Sequence, residues 1–199
     1  MTDIYIIRHG NTFDPSDTVL RTGARTDLDL SCSGQDQARL LGQFFAARGL
    51  TRPTIISGPL KRTRQTAEII GRALEDSSMI EIDKQLREVD YGCDEGQPES
   101  EVRARIGHVA MLAWEQDMTP PDGWHYGASD RTELIEYWTK SFAAVSERPT
   151  LFITSSTIAR HALLALGKPP EKPRTGSFGH LCREGSDLEL KSWDQRPGD

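Results

Sequence analysis

The chain has 199 residues, 36% of them hydrophobic and 27% charged, with a formal net charge of −6. That apolar content excludes wholesale disorder and leaves material for one sizeable core. The acidic balance is unsuited to binding a phosphate backbone non-specifically, which excludes nucleic acid as the expected partner.

The longest apolar runs, such as Val109–Trp114, reach six residues, against the roughly 20 that a membrane-spanning helix needs. Met1–Arg8 carries no basic region ahead of a long apolar segment, so neither a signal peptide nor a membrane anchor is expected. Cys32, Cys93 and Cys182 are scattered and odd in number, without zinc-finger spacing. They fit a reducing, cytoplasmic setting with no disulfide framework and no metal.

No internal repeat interrupts the chain, and its Pro/Gly clusters at 119–127 and 167–179 are too short for domain linkers. Residues 1–199 are therefore expected to form one domain. The run Ile4–Ile7, β-branched and aromatic, predicts a buried strand. Ser33–Asp36 starts a helix whose stripe is Ala38, Leu41, Phe44 and Phe45, closed by Gly49. Thr54–Ser57 predicts a second strand, and Pro59 begins a helix with Leu60, Ala67, Ile70 and Leu74 on its apolar side. Two further helical stripes follow, Val102–Ile106–Val109–Ala113 and Leu134–Trp138–Phe142–Val145. Leu151–Thr154 predicts a third strand, Ile158–Leu166 a helix ended by Gly167, and Phe178–Cys182 with Leu188–Trp193 two weaker strands that could pair antiparallel. Alternating strands and helices imply an α/β fold with a mostly parallel sheet covered on both faces.

Chemistry concentrates at Arg8-His9-Gly10-Asn11-Thr12, just past the carboxyl end of the first strand. Ligands of open α/β sheets bind at that edge. An arginine fork suits phosphate, and a neighbouring imidazole can attack an electrophile and form a covalent intermediate. Arg62 falls in the first turn of the helix after the second strand, so it faces the same edge at a helix end that favours anions. Lys61 and Arg64 read as solvated neighbours.

Four ordered motifs strengthen this reading. They are Arg8-His9-Gly10; Gly23-Ala-Arg25-Thr-Asp27 with Leu30-Ser31, Gly34 and Gln37-Ala38; Ser57 with Leu60-Lys-Arg62-Thr-Arg-Gln-Thr-Ala67; and Leu86-Arg-Glu88-Val-Asp-Tyr-Gly92 with Glu95-Gly96. Together they resemble the histidine phosphatase superfamily, in its phosphoglycerate mutase-like branch, over residues 4 to about 166. The resemblance implies a three-layer α/β/α sandwich. It casts His9 as the nucleophile that becomes phosphorylated and is then hydrolysed, Arg8 and Arg62 as the phosphoryl clamp, and Glu88 as the acid for the leaving oxygen. Asn11 and Thr12 would lie against phosphate or substrate. It implies a small phosphorylated substrate and no cofactor. In-line transfer needs fixed donors around the equatorial oxygens, which two guanidinium groups and a neutral imidazole supply. A protonated carboxylic acid completes the set.

One position departs from the pattern. The second histidine of the family would follow Leu151–Thr154, and aligning Thr154 and Arg160 puts Ser155 there. A serine hydroxyl can donate to a phosphate oxygen but carries no charge, and loss of one such charged donor costs about 10²–10³ in rate. A slowed phosphatase is therefore expected, with a phosphate-binding relative that has lost catalysis as the alternative and a mutase as the lesser one. His125, His161 and His180 are the candidates to replace the missing ring, whereas His108 reads as a surface residue. Two more departures, Gly127-Ala-Ser129 and Asp94, fall in the stretch expected to shape specificity.

Overall fold

The computed structural model describes residues 1–75, 80–126, 130–145 and 147–199. Its elements run β1 (Thr2–Arg8), α1 (Cys32–Ala47), β2 (Thr54–Ser57), α2 (Lys61–Ala73), β3 (Glu81–Ile82), α3 (Glu99–Ile106), α4 (His108–Asp117), α5 (Arg131–Ala144), β4 (Thr150–Thr154), α6 (Ser156–Ala165), β5 (Phe178–Glu184) and β6 (Asp187–Gln195). The sheet order is β3-β2-β4-β1-β5-β6. β1 to β4 are parallel, whereas β5 runs antiparallel to β1 and β6 antiparallel to β5.

The strand alternation builds the two faces. Tyr5 and Ile7 of β1 join Leu151 and Ile153 of β4 against Leu41 and Phe45 of α1 and Ile70 of α2. Ile4 and Ile6 join Phe152 on the other face, under Trp138 and Phe142 of α5 and Ile158 of α6. Because side chains of successive strand residues point to opposite faces, one apolar run serves both cores, and the three-layer α/β/α sandwich follows.

Two predicted elements changed on folding. The stripe from Val102 to Ala113 breaks into α3 and α4 at Gly107, whose φ of +83° only glycine adopts freely. Val109, expected on a buried face, is 81% exposed. α2 starts at Lys61 with Leu60 as its cap residue, two positions after Pro59. The short edge strand β3 and the 3-10 turns at Lys84–Leu86 and Gly92–Asp94 carry too few residues for a periodic signal.

Strand ends set up one edge. Arg8, the last residue of β1, is level with Thr154, the last of β4, and Ile153 is level with Ser57 at the end of β2. The chain leaving β1 then lies on the start of α1. A Cβ on Gly34 would sit 2.0 Å from the Asn11 carbonyl oxygen, and one on Gly10 would sit 2.3 Å from the Gly34 oxygen. Gly34 lies within α1, where alanine is ordinarily preferred by about 1 kcal/mol. Here Gly34→Ala is expected to destabilise the protein by about 1–3 kcal/mol through overpacking, read as a lower urea midpoint. A stabilised variant would refute this close backbone contact.

Candidate active site

Arg8 with His9, Arg62 and Glu88 come from three separated stretches and line one cavity of about 380 Å³. Each is held by local geometry. The His9 amide donates to the Thr154 carbonyl (3.0 Å) and the Arg8 amide to that of Ser177 (3.0 Å), which ties the end of β1 to β4 and to the approach to β5. The Gly10 amide donates to Thr66 Oγ1 of α2.

His9 is 5% exposed. Its Nδ1 donates to the Gly10 carbonyl at 2.7 Å, which leaves Nε2 as the ring nitrogen free to react. Burial, then the Arg62 and Arg8 charges, hold its pKa well below the usual histidine value, although the bond to Gly10 opposes this. The ring is neutral at pH 7.

The two arginines are oriented by carbonyl oxygens. Arg62, fully buried, donates from Nη1 to Thr26 O (2.6 Å) and from Nη2 to Gly23 O (3.1 Å). Arg8 donates from Nη1 to Pro173 O at 2.7 Å. In both, Nε is buried and has no hydrogen-bond partner. Burial lowers the pKa of each, and Glu88 is the first of the charges that oppose this. A guanidinium nonetheless stays charged at any ordinary pH.

Glu88 lies beyond the 3-10 turn at Lys84–Leu86. Its Oε1 accepts from the Val89 amide (2.9 Å) and its Oε2 from the Thr157 amide (3.3 Å) in the first turn of α6. Thr157 Oγ1 in turn shares a hydrogen bond with the Tyr91 hydroxyl.

Other expected site residues fall differently. Asn11 lines the cavity, but its amide is engaged at both ends, from Nδ2 to Ser33 Oγ and at Oδ1 by Thr175, so it also braces the loop. Thr12 lines the same space. Ser155 does not. Ser156 and Thr157 line the cavity from that turn, whereas Ser155 Oγ is buried without a partner. As the cap residue of α6, Ser155 has extended backbone just before the helix.

None of the alternative histidines lines the cavity. His125 is exposed and pairs through its backbone with Asp90. His180 sits on β5, bonded to Asp3 and stacked on Tyr5. His161 is buried, with Nδ1 donating to the Thr157 carbonyl (2.8 Å) and its ring set edge-on to Tyr126. Gly127–Ser129 lie outside the described residues. Asp94 is buried and accepts from Arg105 and from Trp124 Nε1 (2.7 Å), an internal tie rather than a cavity residue.

Sequence reasoning missed Arg21, Tyr91, Arg103 and Lys172, which also line the cavity. Tyr91 lay inside a quoted motif and Arg21 two residues before one. Lys172 stands in a Pro-rich connection that carries no such signal. Among the described residues, no three His, Cys, Asp or Glu side chains converge to hold a metal ion, and no helix is long and apolar enough to cross a membrane.

His161 gives a pH test. Burial pulls its pKa down from 6.5 to about 4, so as pH falls the unfolded chain takes up the proton first. Its stabilising contribution is complete above pH 6.5 and is lost towards pH 4. The expected loss from this group between pH 7 and pH 5 is about 2 kcal/mol. In urea unfolding, His161→Leu should shrink the difference between those two pH values; an unchanged difference would refute the burial of a neutral ring.

The model of the histidine phosphatase superfamily (branch 1) matches residues 4–193. The uncharacterized phosphatase PhoE of Bacillus subtilis is 35% identical over 198 residues, covering 97% of this chain and 92% of that protein. A probable phosphoglycerate mutase, GpmB of Salmonella arizonae, is 34% identical over 151 residues, which is 75% of this chain and 65% of the other. Among solved structures, a mycobacterial glucosyl-3-phosphoglycerate phosphatase superposes with a TM-score of 0.79 at 20% identity, over 98% of this chain and all (100%) of that one. A phosphoserine phosphatase from Entamoeba histolytica, in complex with 3-phosphoglyceric acid, gives 0.73 at 17% identity, with 98% of each chain covered. These two likenesses establish the fold. With the motif residues gathered at one sheet edge and the family match running nearly end to end, the chain belongs to the histidine phosphatase superfamily, branch 1.

Proposed function

We propose that the protein is a phosphomonoester hydrolase working through a phosphohistidine at His9. The observation that carries this reading is a neutral imidazole set beside two buried guanidinium groups whose Nε–H donors lack partners. Buried donors without partners are costly. A tetrahedral phosphate dianion would satisfy them and offset the charge.

In this reading His9 Nε2 attacks phosphorus as the bond to the leaving oxygen breaks, and Arg8 and Arg62 hold the equatorial oxygens. The start of α6 favours the same anion. Glu88 gives its proton to the leaving alkoxide. It then takes one from the water that attacks the phosphohistidine, which releases inorganic phosphate and restores the ring. Asn11 contributes its second Nδ2 hydrogen. Ser155 is given no contact with phosphate in this reading, because it does not line the cavity. The free state of all three cysteines supports a reducing, cytosolic setting.

The place of Ser155 off the cavity lining also supports a slowed enzyme, and in the limit a binding protein without turnover. Hydrolysis of p-nitrophenyl phosphate separates these readings. His9→Ala should abolish turnover, Arg62→Ala should lower kcat/KM about 10²–10³-fold, and Glu88→Gln should lower kcat about 10²–10⁴-fold. Equal rates for wild type and His9→Ala would reject the hydrolase. A Ser155→His variant that gains orders of magnitude in rate would mark the natural protein as catalytically crippled.

A further inference from the structure

Residues 171–177, between α6 and β5, form no regular element, yet both sides of this segment are fastened. The inner side holds the loop that follows β1. The Pro173 carbonyl accepts from Arg8 Nη1 (2.7 Å), and the Gly176 amide donates to the Arg8 and His9 carbonyls (3.1 Å each). Thr175 Oγ1 donates to Asn11 Oδ1. Gly176 lies so close to Gln37 that a Cβ there would come within 2.7 Å of that side chain, and Gln37 Oε1 accepts from the Asn11 amide (2.8 Å).

The outer side is fastened to the end of β6 and the residues beyond it. The Arg174 amide donates to Asp194 Oδ1 (2.6 Å) and Arg174 Nε to Asp194 Oδ2 (2.8 Å). Arg174 Nη2 donates to the Asp194 carbonyl and to Asp199 Oδ2 (2.6 Å each). Trp193 Nε1 donates to the Glu171 carbonyl (3.2 Å), and Arg196 Nη2 to the Thr175 carbonyl (2.7 Å). Asp194 has a φ of +56°, left-handed backbone that costs most residues energy and that Asp, Asn and Gly enter more readily.

The Pro173 carbonyl and the Arg174 amide belong to one peptide unit. That unit is planar and rigid, so its oxygen and its hydrogen point in opposite directions. Arg8 therefore bonds one end of the plane and Asp194 the other, and the plane cannot turn without loosening both. A carboxylate on the N–H and a guanidinium on the C=O also polarise the unit in the same sense, which strengthens both bonds. Burial lowers the Arg8 pKa, and Asp194 is among the groups that oppose this. The Asp194–Arg174 side-chain pair is 28% and 45% exposed, and ion pairs that open to water stabilise a fold little. Its structural effect is to fix the carboxylate that holds the peptide.

We propose that Asp194 is a positioning residue for the phosphate clamp, its carboxylate holding the Pro173–Arg174 peptide so that the Pro173 carbonyl aims the Arg8 guanidinium at the anion. The proposal rests on the reading of Arg8 as a phosphate ligand given above. Asp194 acts only through the peptide and Arg8, and it does not line the cavity.

Calorimetry with inorganic phosphate tests this. Asp194→Gly removes the acceptor and suits the left-handed backbone, so the fold should survive, as the thermal midpoint checks. It should bind phosphate about tenfold more weakly, the lower end of the loss seen when a residue that orients a ligand's contacts is removed. Asp194→Asn keeps an acceptor for the peptide N–H but not the charge, and should stay close to wild type. In an Arg8→Lys background, Asp194→Gly should cause no further loss, since residues acting through one another are not additive. A ligand-free measurement runs beside these. The buried Arg8 Nε–H, identified by its absence from Arg8→Lys, should exchange with solvent faster in Asp194→Gly than in wild type or Asp194→Asn, read by nitrogen-15-edited NMR.

Unchanged phosphate binding in Asp194→Gly would overturn the proposal. So would equal losses in the glycine and asparagine variants, which mark a plain surface ion pair, or a full further loss in the Arg8→Lys background. An Arg8 Nε–H exchange rate that Asp194→Gly leaves unaltered would overturn it whatever the ligand does. Failure of the wild-type protein to bind phosphate would instead overturn the reading of Arg8 beneath it.

Discussion

Uncompensated positive charge, buried at the carboxyl edge of a parallel sheet, is the constraint on which the site depends. Arg8, Arg21 and Arg62 each have a buried Nε–H without an acceptor, in one cavity. Folding tolerates this because other donors of Arg8 and Arg62 find backbone oxygens and one of Arg21's finds Glu99. The residual field has two effects. It holds His9 neutral, with burial as the larger cause, and it leaves a space suited to a tetrahedral anion. The neutral ring and the cationic cavity thus follow from one arrangement of charge.

Delivering that charge requires strand ends to be level. Parallel strands with helical crossovers present their carboxyl ends together, and the Arg8–Thr154 and Ser57–Ile153 pairings bring the starts of three loops within reach of one ligand. Fine placement comes from backbone contact. The Asn11 carbonyl accepts from the Ser31 amide, and Gly10 and Gly34 let the two chain segments touch where any Cβ would collide. Glu88 is placed by Thr157 at the start of α6, so its carboxylate and the cavity-lining first turn of that helix are registered together.

The outer cavity differs in kind from the inner. Inside, cations are oriented by carbonyls and kept free of carboxylates at Nε. Elsewhere Glu99 and Glu115 pair with Arg103, and Arg21 keeps a buried Nε without a partner. Among the described residues, His9 is the one histidine that lines the cavity. His161, one turn and a half past Ser155, is turned into the core by its bond to the Thr157 carbonyl.

Much was readable from local signals. Ile4–Ile7, Thr54–Ser57 and Leu151–Thr154 are short apolar runs whose β-branched character specifies strands, and Arg8-His9 and Arg62 follow those runs immediately, so their arrival at one edge was already legible. Glu88 was legible only through its motif. The break at Gly107 was not, because a stripe at helical spacing looks continuous across a single glycine, and only a φ of +83° distinguishes the break. The buried, unpartnered atoms Ser155 Oγ and Arg21 Nε were beyond reach as well. Whether a polar side chain lines a cavity depends on which distant carbonyls and carboxylates occupy its hydrogen bonds. Those partners, Pro170 and Glu115 for Arg160 or Glu99 for Arg21, are brought near by packing across many intervening residues, which no local pattern encodes.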